Sequence, residues 1–215
     1  MLVCGRPELT ERAVRCFDSQ IYEPKELIEY RNNGDRPIGA LRNAANAQAT
    51  GEIICHFDSD DWSHPNRIAE QVAFLESSGA DVVGYNEMLF WREPRAFGTA
   101  LVTPLNGEAW LYSYGPPKPT LGTSLCYWRK TWERKPFRND LPRNGESTGE
   151  DWDFIQGLKV VACSSLIGPE LFATRVRMIA RIHGGNSVKY NLEDANGTCW
   201  SRAPEWDHRV KELLG

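Results

Sequence analysis

The sequence predicts an α/β fold, with a mostly parallel central sheet flanked by helices in a single domain. Three observations lead there. From Met1 to Tyr85, apolar runs of strand length alternate with stretches of helical period, the pattern of a sheet covered on both faces. One of those runs, Ile53-Ile54-Cys55-His56-Phe57, ends abruptly in the carboxylates Asp58, Asp60 and Asp61. And the 215 residues, 41% hydrophobic and 25% charged, have the profile of one globular domain that can bury a sizeable core.

Met1–Cys4 reads as a minimal strand, broken by Gly5-Arg6-Pro7-Glu8; Leu9, Ala13, Val14 and Phe17 then recur at helical spacing. Glu26–Tyr30 is a second strand candidate, followed by the turn signal Asn32-Asn33-Gly34-Asp35. Gly39–Ala49 is rich in helix formers and Thr50-Gly51 stops it, so the chain up to Asp61 runs β-α-β-α-β. A helix over 66–76 and a strand from Ala80 to Tyr85, extending toward Trp91, come next. Residues 92–121 are less regular, and Trp110, Tyr112 and Tyr114 there either shape a substrate region or pack in an extension of the core. Thr123–Trp128 and Val160–Cys163 read as strands, the second at an edge or late in the sheet. Between them the polar loop 144–149 leads through Glu150-Asp151 into a helix at 152–158. Val176–Ile182 leads to His183-Gly184-Gly185-Asn186-Ser187, and the chain closes on a helix.

The stretch at Asp58 carries the chemistry. Open α/β sheets bind ligands beyond the carboxyl ends of their strands, so these carboxylates are expected in a crevice. Three anions held close repel one another unless a cation joins them, and hard oxygen ligands on a short loop suit Mg²⁺ or Mn²⁺. Asp60 or Asp61 capping the helix that follows is the structural alternative.

The composition narrows the classes. A formal net charge of −4 gives no overall footprint for nucleic acid or acidic membranes. Cys4, Cys16, Cys55, Cys126, Cys163 and Cys199 are scattered singly, as reduced core cysteines of a cytoplasmic protein would be. No run approaches 18 apolar residues, so no integral membrane association is expected. The basic residues Arg129, Lys130, Arg134, Lys135, Arg138 and Arg143 form either a solvated face or a surface for a phosphate-bearing acceptor.

Taken together, Gly5-Arg6-Pro7-Glu8-Leu9, Arg42-Asn43-Ala44 before Thr50-Gly51-Glu52, Asp58-Ser59-Asp60-Asp61, Gly149-Glu150-Asp151-Trp152-Asp153-Phe154 and His183-Gly184-Gly185-Asn186-Ser187 resemble, in order and spacing, the family 2 glycosyltransferases of the Rossmann-like GT-A fold. The resemblance implies a metal-dependent, inverting transfer of a sugar from a nucleotide-sugar, by default a UDP-sugar, to an acceptor hydroxyl. It implies donor contacts at Arg6, Glu8, Arg42, Asp58 and Asp60, with Asp58 on the ribose. Mn²⁺ or Mg²⁺ would be held by Asp60 with His183, and Asp151 would be the general base. Glu150, its neighbour, and Trp152 would line the acceptor. The single domain then divides into a nucleotide-sugar-binding half at 1–91, an acceptor-binding and catalytic half at 92–190, and a tail or helix at 191–215. The acceptor is left open among a glycan, a lipid-linked glycan, a protein and a modified nucleic-acid base.

The sequence departs from the family in one place. Tyr30–Asp35 stands where an Asp-Asp-Gly segment reads the nucleotide base, and the connection from Leu27 to Arg42 is short. That departure motivates the alternative of a non-catalytic nucleotide-sugar or glycan-binding protein. An Asp-x-Asp phosphohydrolase is a third reading, disfavoured by Asp61-Trp62 after Asp60.

Overall fold

The computed structural model describes residues 1–3, 7–31, 36–94, 107–113, 120–140, 149–166, 176–183, 192 and 199–215. Strand β1 (Leu2–Val3) leads to helix α1 (Pro7–Asp18), which buries Thr10, Ala13 and Phe17, residues spaced to share one helical face. Strand β2 (Tyr30–Arg31) pairs in parallel with β1, the two forming a small sheet of their own. Helix α2 (Ile38–Asn46), strands β3 (Ile53–Cys55) and β4 (Trp62–Ser63) and helix α3 (Arg67–Ser78) follow. Phe57, Ile68 and Val72 join Ala13 and Phe17 in one apolar cluster, which seats α1 and α3 against the chain leaving β3.

The sheet is organised around β5 (Val82–Arg92), an 11-residue strand buried along most of its length. It pairs antiparallel with β6 (Glu108–Ser113) and β7 (Cys126–Trp128), and parallel with β8 (Val160–Ser164) and β9 (Met178–Ile182). Strand β7 also pairs antiparallel with β3. So β3 and β5 run in the same direction, as the α3 crossover requires, but β7 lies between them. The sheet is therefore mixed and not mostly parallel. The physical reason is that β6 and β7 pair with β5 in the opposite sense, Leu89 facing Leu111 and Val82 facing Tyr127, and the direction of a pairing leaves no mark on the local apolar period.

The region expected to be irregular contributes β6. Its Trp110 and Tyr112 pack with Phe90, Tyr85 and Trp200 as an extension of the core; Tyr114 lies outside the described residues. The C-terminal stretch is also built into the body. Strand β10 (Trp200–Arg202) pairs with β6, and α6 (Asp207–Leu214) places Val210 and Leu214 against Leu89, Trp91 and Ile179. Two short helices, α4 (Arg129–Arg134) and α5 (Glu150–Ile155), complete the second half, α5 resting on Tyr127 and Phe137 through Phe154. Among the described residues no helix is long and apolar enough to cross a membrane.

Candidate active site

Strand β3 delivers His56, Phe57 and Asp58 to its carboxyl end, and the chain then turns through Ser59-Asp60-Asp61 into β4. Pairing of β4 with β9, Trp62 opposite Ile179 and Ser63 opposite Met178, brings this turn alongside the end of β9. Asp61 fastens the join. Its Oδ1 accepts the Arg181 backbone N–H at 3.1 Å and its Oδ2 the Thr123 hydroxyl at 2.8 Å. Burial, with Asp60 and Asp58 close by, pushes the Asp61 carboxyl well above the usual carboxylate range. Asp61 thus laces two strand ends together, and Asn66 is the residue that precedes α3. The consequence falls one residue away: His183, leaving β9, sets Nε2 2.9 Å from Asp60 Oδ2.

The second carboxylate site lies at the start of α5. Gly149, at φ 68°, takes the left-handed conformation that turns the chain into the helix. Asp151 Oδ1 accepts the Trp152 N–H at 2.8 Å, while Oδ2 lies against Gly122, where an added Cβ would come within 2.0 Å. Trp152 is exposed, one of the large apolar side chains left at the surface. Glu150 turns the other way: it is buried and reaches Arg42 Nε at 3.4 Å. Burial pushes its carboxyl up, with the Arg42 guanidinium opposing that shift.

Arg42 and Asn43, adjacent on α2, divide the work. Arg42 Nη1 is 3.1 Å from His56 Nδ1, and its charge is felt by Glu150, Asp58 and Asp151. Asn43 clamps the backbone of Phe137, donating to its carbonyl at 2.7 Å and accepting its N–H at 3.0 Å. Asp58 and Arg42 also line a cavity of about 290 Å³ between α2, β3 and residues 22–28.

Arg6 lies outside the described residues, and Glu8 is exposed in the first turn of α1. The structure thus brings Arg42 within electrostatic reach of Asp58 and Asp151, and Asp60 into contact with His183. Of the basic run, Arg143 is outside the described residues. The rest meet partners in their own chain: Arg129 the Ala49 carbonyl, Lys130 the Trp128 ring, Arg134 Asp81, Lys135 the Asp153 carbonyl and Arg138 Asp140.

Between the two carboxylate sites stands the 3-10 turn Gly122–Ser124, which sequence reasoning missed. Its Gly122 carbonyl is 2.7 Å from His56 Nδ1, its Thr123 hydroxyl holds Asp61, and its Ser124 carbonyl accepts the Gln71 amide at 2.8 Å. The His56 ring is neutral in character: burial and then the Arg42 charge push its pKa well below the ordinary value. A proton on Nδ1 donated to Gly122 leaves Nε2 to accept the Tyr127 hydroxyl at 3.1 Å, whose oxygen accepts from Asn46 at 2.9 Å. Arg67, fully buried, was also missed. Its guanidinium donates to Ser63 Oγ at 3.0 Å, Gln71 Oε1 at 3.1 Å and the His56 carbonyl at 2.7 Å, and it stacks 5.2 Å from the Phe57 ring centre. The one local signal was Ser63, Arg67 and Gln71 at four-residue spacing.

Residues 7–104 match the model of glycosyl transferase family 2. The fold as a whole is that of the GT-A glycosyltransferases. Among solved structures it is similar to S. aureus TarS 1–349, with a TM-score of 0.52, 12% identity, and coverage of 84% of this chain and 58% of that one. The same TarS fragment in complex with UDP matches at TM-score 0.55 and 14% identity, covering 84% and 59%. A further S. aureus TarS structure matches at 0.55 and 13%, covering 84% and 36%. The chain thus spans less than two thirds of each of these proteins. No curated protein matches the chain.

Proposed function

We propose that the protein is an inverting glycosyltransferase that moves the sugar of a UDP-sugar to an acceptor hydroxyl. The observation that carries this reading is one turn, Gly122–Ser124, touching both carboxylate sites: Thr123 holds Asp61 beside Asp60 and His183, and Gly122 lies against Asp151. Displacement at an anomeric carbon needs charge compensation for the departing diphosphate and a proton acceptor for the attacking hydroxyl. The two sites are suited to those tasks. UDP as the nucleotide is supported by the family model that residues 7–104 match and by the UDP complex of the similarly folded TarS.

Asp60 and His183 offer an oxygen and a nitrogen side by side, and among the described residues no set of three or more metal-ligating side chains converges. That donor set fits Mn²⁺ or Mg²⁺, ions that fill their remaining positions with phosphate oxygens and water. Bound there, the ion would supply positive charge to the donor diphosphate. The protein's own residues do the rest. Asp58, which lines the cavity together with Arg42, binds the donor ribose. Asp151 takes the proton of the acceptor hydroxyl, and the exposed Trp152 offers a flat apolar wall for a sugar ring.

The test is a thermal-shift titration with a panel of nucleoside diphosphates, each with and without Mn²⁺, on the wild type, Asp60→Ala and Asp151→Asn. At 100 times its dissociation constant a nucleotide adds about 2.7 kcal/mol, a rise of a few degrees. UDP is expected to stabilise the wild type and Asp151→Asn in the presence of Mn²⁺, and Asp60→Ala to lose that gain. No stabilisation by any nucleotide under either condition rejects the donor site.

A further inference from the structure

Cys55 and Cys126 stand directly opposite each other on β3 and β7. The flanking hydrogen bonds define the kind of pair. His56 N–H reaches the Leu125 carbonyl at 2.7 Å, and Arg129 N–H reaches the Glu52 carbonyl at 2.7 Å. Positions 56/125 and 52/129 are therefore hydrogen-bonded pairs. By the alternation of an antiparallel ladder, 55/126 is a non-hydrogen-bonded pair, the kind whose Cα atoms approach to about 4.5 Å and whose side chains lie closest. The two sulfurs are accordingly 3.1 Å apart. A Cα spacing near 4.5 Å falls within the range that a disulfide spans.

Access is one-sided. Cys126 is fully buried, whereas Cys55 is half-buried and lines the cavity of about 290 Å³ that Asp58 and Arg42 also line. A small oxidant has a route to one sulfur and none to the other except through it. The S–H of Cys126 also supports a thiolate at Cys55, whose pKa this contact lowers, while that of Cys126 is raised.

We propose that Cys55 and Cys126 are a reversible redox pair, oxidised by a hydroperoxide that enters the cavity and reaches Cys55 first. The Cys55 thiolate attacks one peroxide oxygen, the O–O bond breaks, and hydroxide leaves to take up the thiol proton as water, giving a sulfenic acid. The Cys126 sulfur then attacks the Cys55 sulfur; the S–O bond breaks and hydroxide departs as a second water with the Cys126 proton. Two thiols and one hydrogen peroxide yield one disulfide and two waters. Strand β3 runs into Asp58–Asp61 and β7 leaves the Gly122–Ser124 turn, so the new bond ties together the two segments that position the carboxylates. The proposal stands apart from glycosyl transfer, because it rests only on the strand pair and the cavity.

The experiment treats the full chain with hydrogen peroxide, removes the excess with catalase, alkylates under denaturing conditions and maps the cysteines by mass spectrometry. The expected product joins the Cys55 and Cys126 peptides, two hydrogens lighter than their sum. It reverts with dithiothreitol, while Cys16, Cys163 and Cys199 remain alkylated. Cys126→Ala is expected to stop at the sulfenic acid, trapped by dimedone on Cys55. Recovery of both cysteines as alkylated monomers after peroxide, oxidation of Cys126 ahead of Cys55, or a cross-link from Cys55 to a different cysteine overturns the proposal.

Discussion

Gly122 and Asp151 meet at a contact that only a hydrogen atom permits: a methyl group on Gly122 would lie 2.0 Å from Asp151 Oδ2 and 2.6 Å from its carboxyl carbon. The proposed base is thus positioned by a residue with no side chain, on a turn whose Thr123 holds the opposite carboxylate site.

Gly122→Ala must therefore displace Asp151, since the carboxyl atoms that crowd the new methyl belong to that side chain. We expect release of UDP from a UDP-sugar to fall at least tenfold, roughly the cost of misplacing one catalytic group. The rise in melting temperature with UDP and Mn²⁺ should stay as in the wild type. Equal loss of turnover and UDP binding would show that the turn supports the donor and not Asp151.

Removing Arg42 leaves Glu150 buried without its counter-charge. Both side chains of this pair are nearly buried. Arg42→Ala is expected to cost about 3 kcal/mol in urea unfolding, and Glu150→Gln in the same chain to recover a large part of it. A double variant no more stable than the single one would show that the loss comes from the Arg42 contact with the Phe137 ring.

His56 gives stability a pH dependence of defined sign. Its folded-state pKa lies well below the ordinary value, so the unfolded chain takes up the proton first as pH falls. The contribution is complete above about pH 6.5 and is lost on acidification below it, by up to about 1.4 kcal/mol per pH unit. His56→Gln should be less stable at pH 7.5 yet flatter between pH 7 and 5.5. Parallel curves for the two proteins in urea titrations would assign the slope to other groups.

Thr123→Val keeps the shape of the residue and deletes the hydroxyl that donates to Asp61. An unmatched buried oxygen costs about 1–3 kcal/mol. Because Asp61 also holds Arg181, next to Ile182 and His183, UDP affinity in Mn²⁺ should fall with stability, whereas Thr123→Ser should restore both. Calorimetric titration of the three proteins decides it.

Much of the first half was written locally. Apolar period and turn residues placed α1, α2, β3, α3 and β5, because each buries one face that its own spacing defines. The carboxylates after β3, the acids at the start of α5 and His183 were legible as residue types that have few bland uses together. Pairing was not legible. Strand β7 inserts between β3 and β5, and β6 and β10 extend the sheet, through contacts made across long sequence separations that no local period records. The same holds for the inward turn of Glu150, for the Gly122–Ser124 turn and for Arg67. Their meaning lies in what they touch: a glycine, a threonine and an arginine are ordinary in sequence. They become specific only when the folded chain brings a carboxylate or an imidazole within about 3 Å. Sequence by itself thus determined which side chains are the candidates for the chemistry. Tertiary structure decided which of them face each other, because hydrogen bonding and burial act over distances in space and not along the chain.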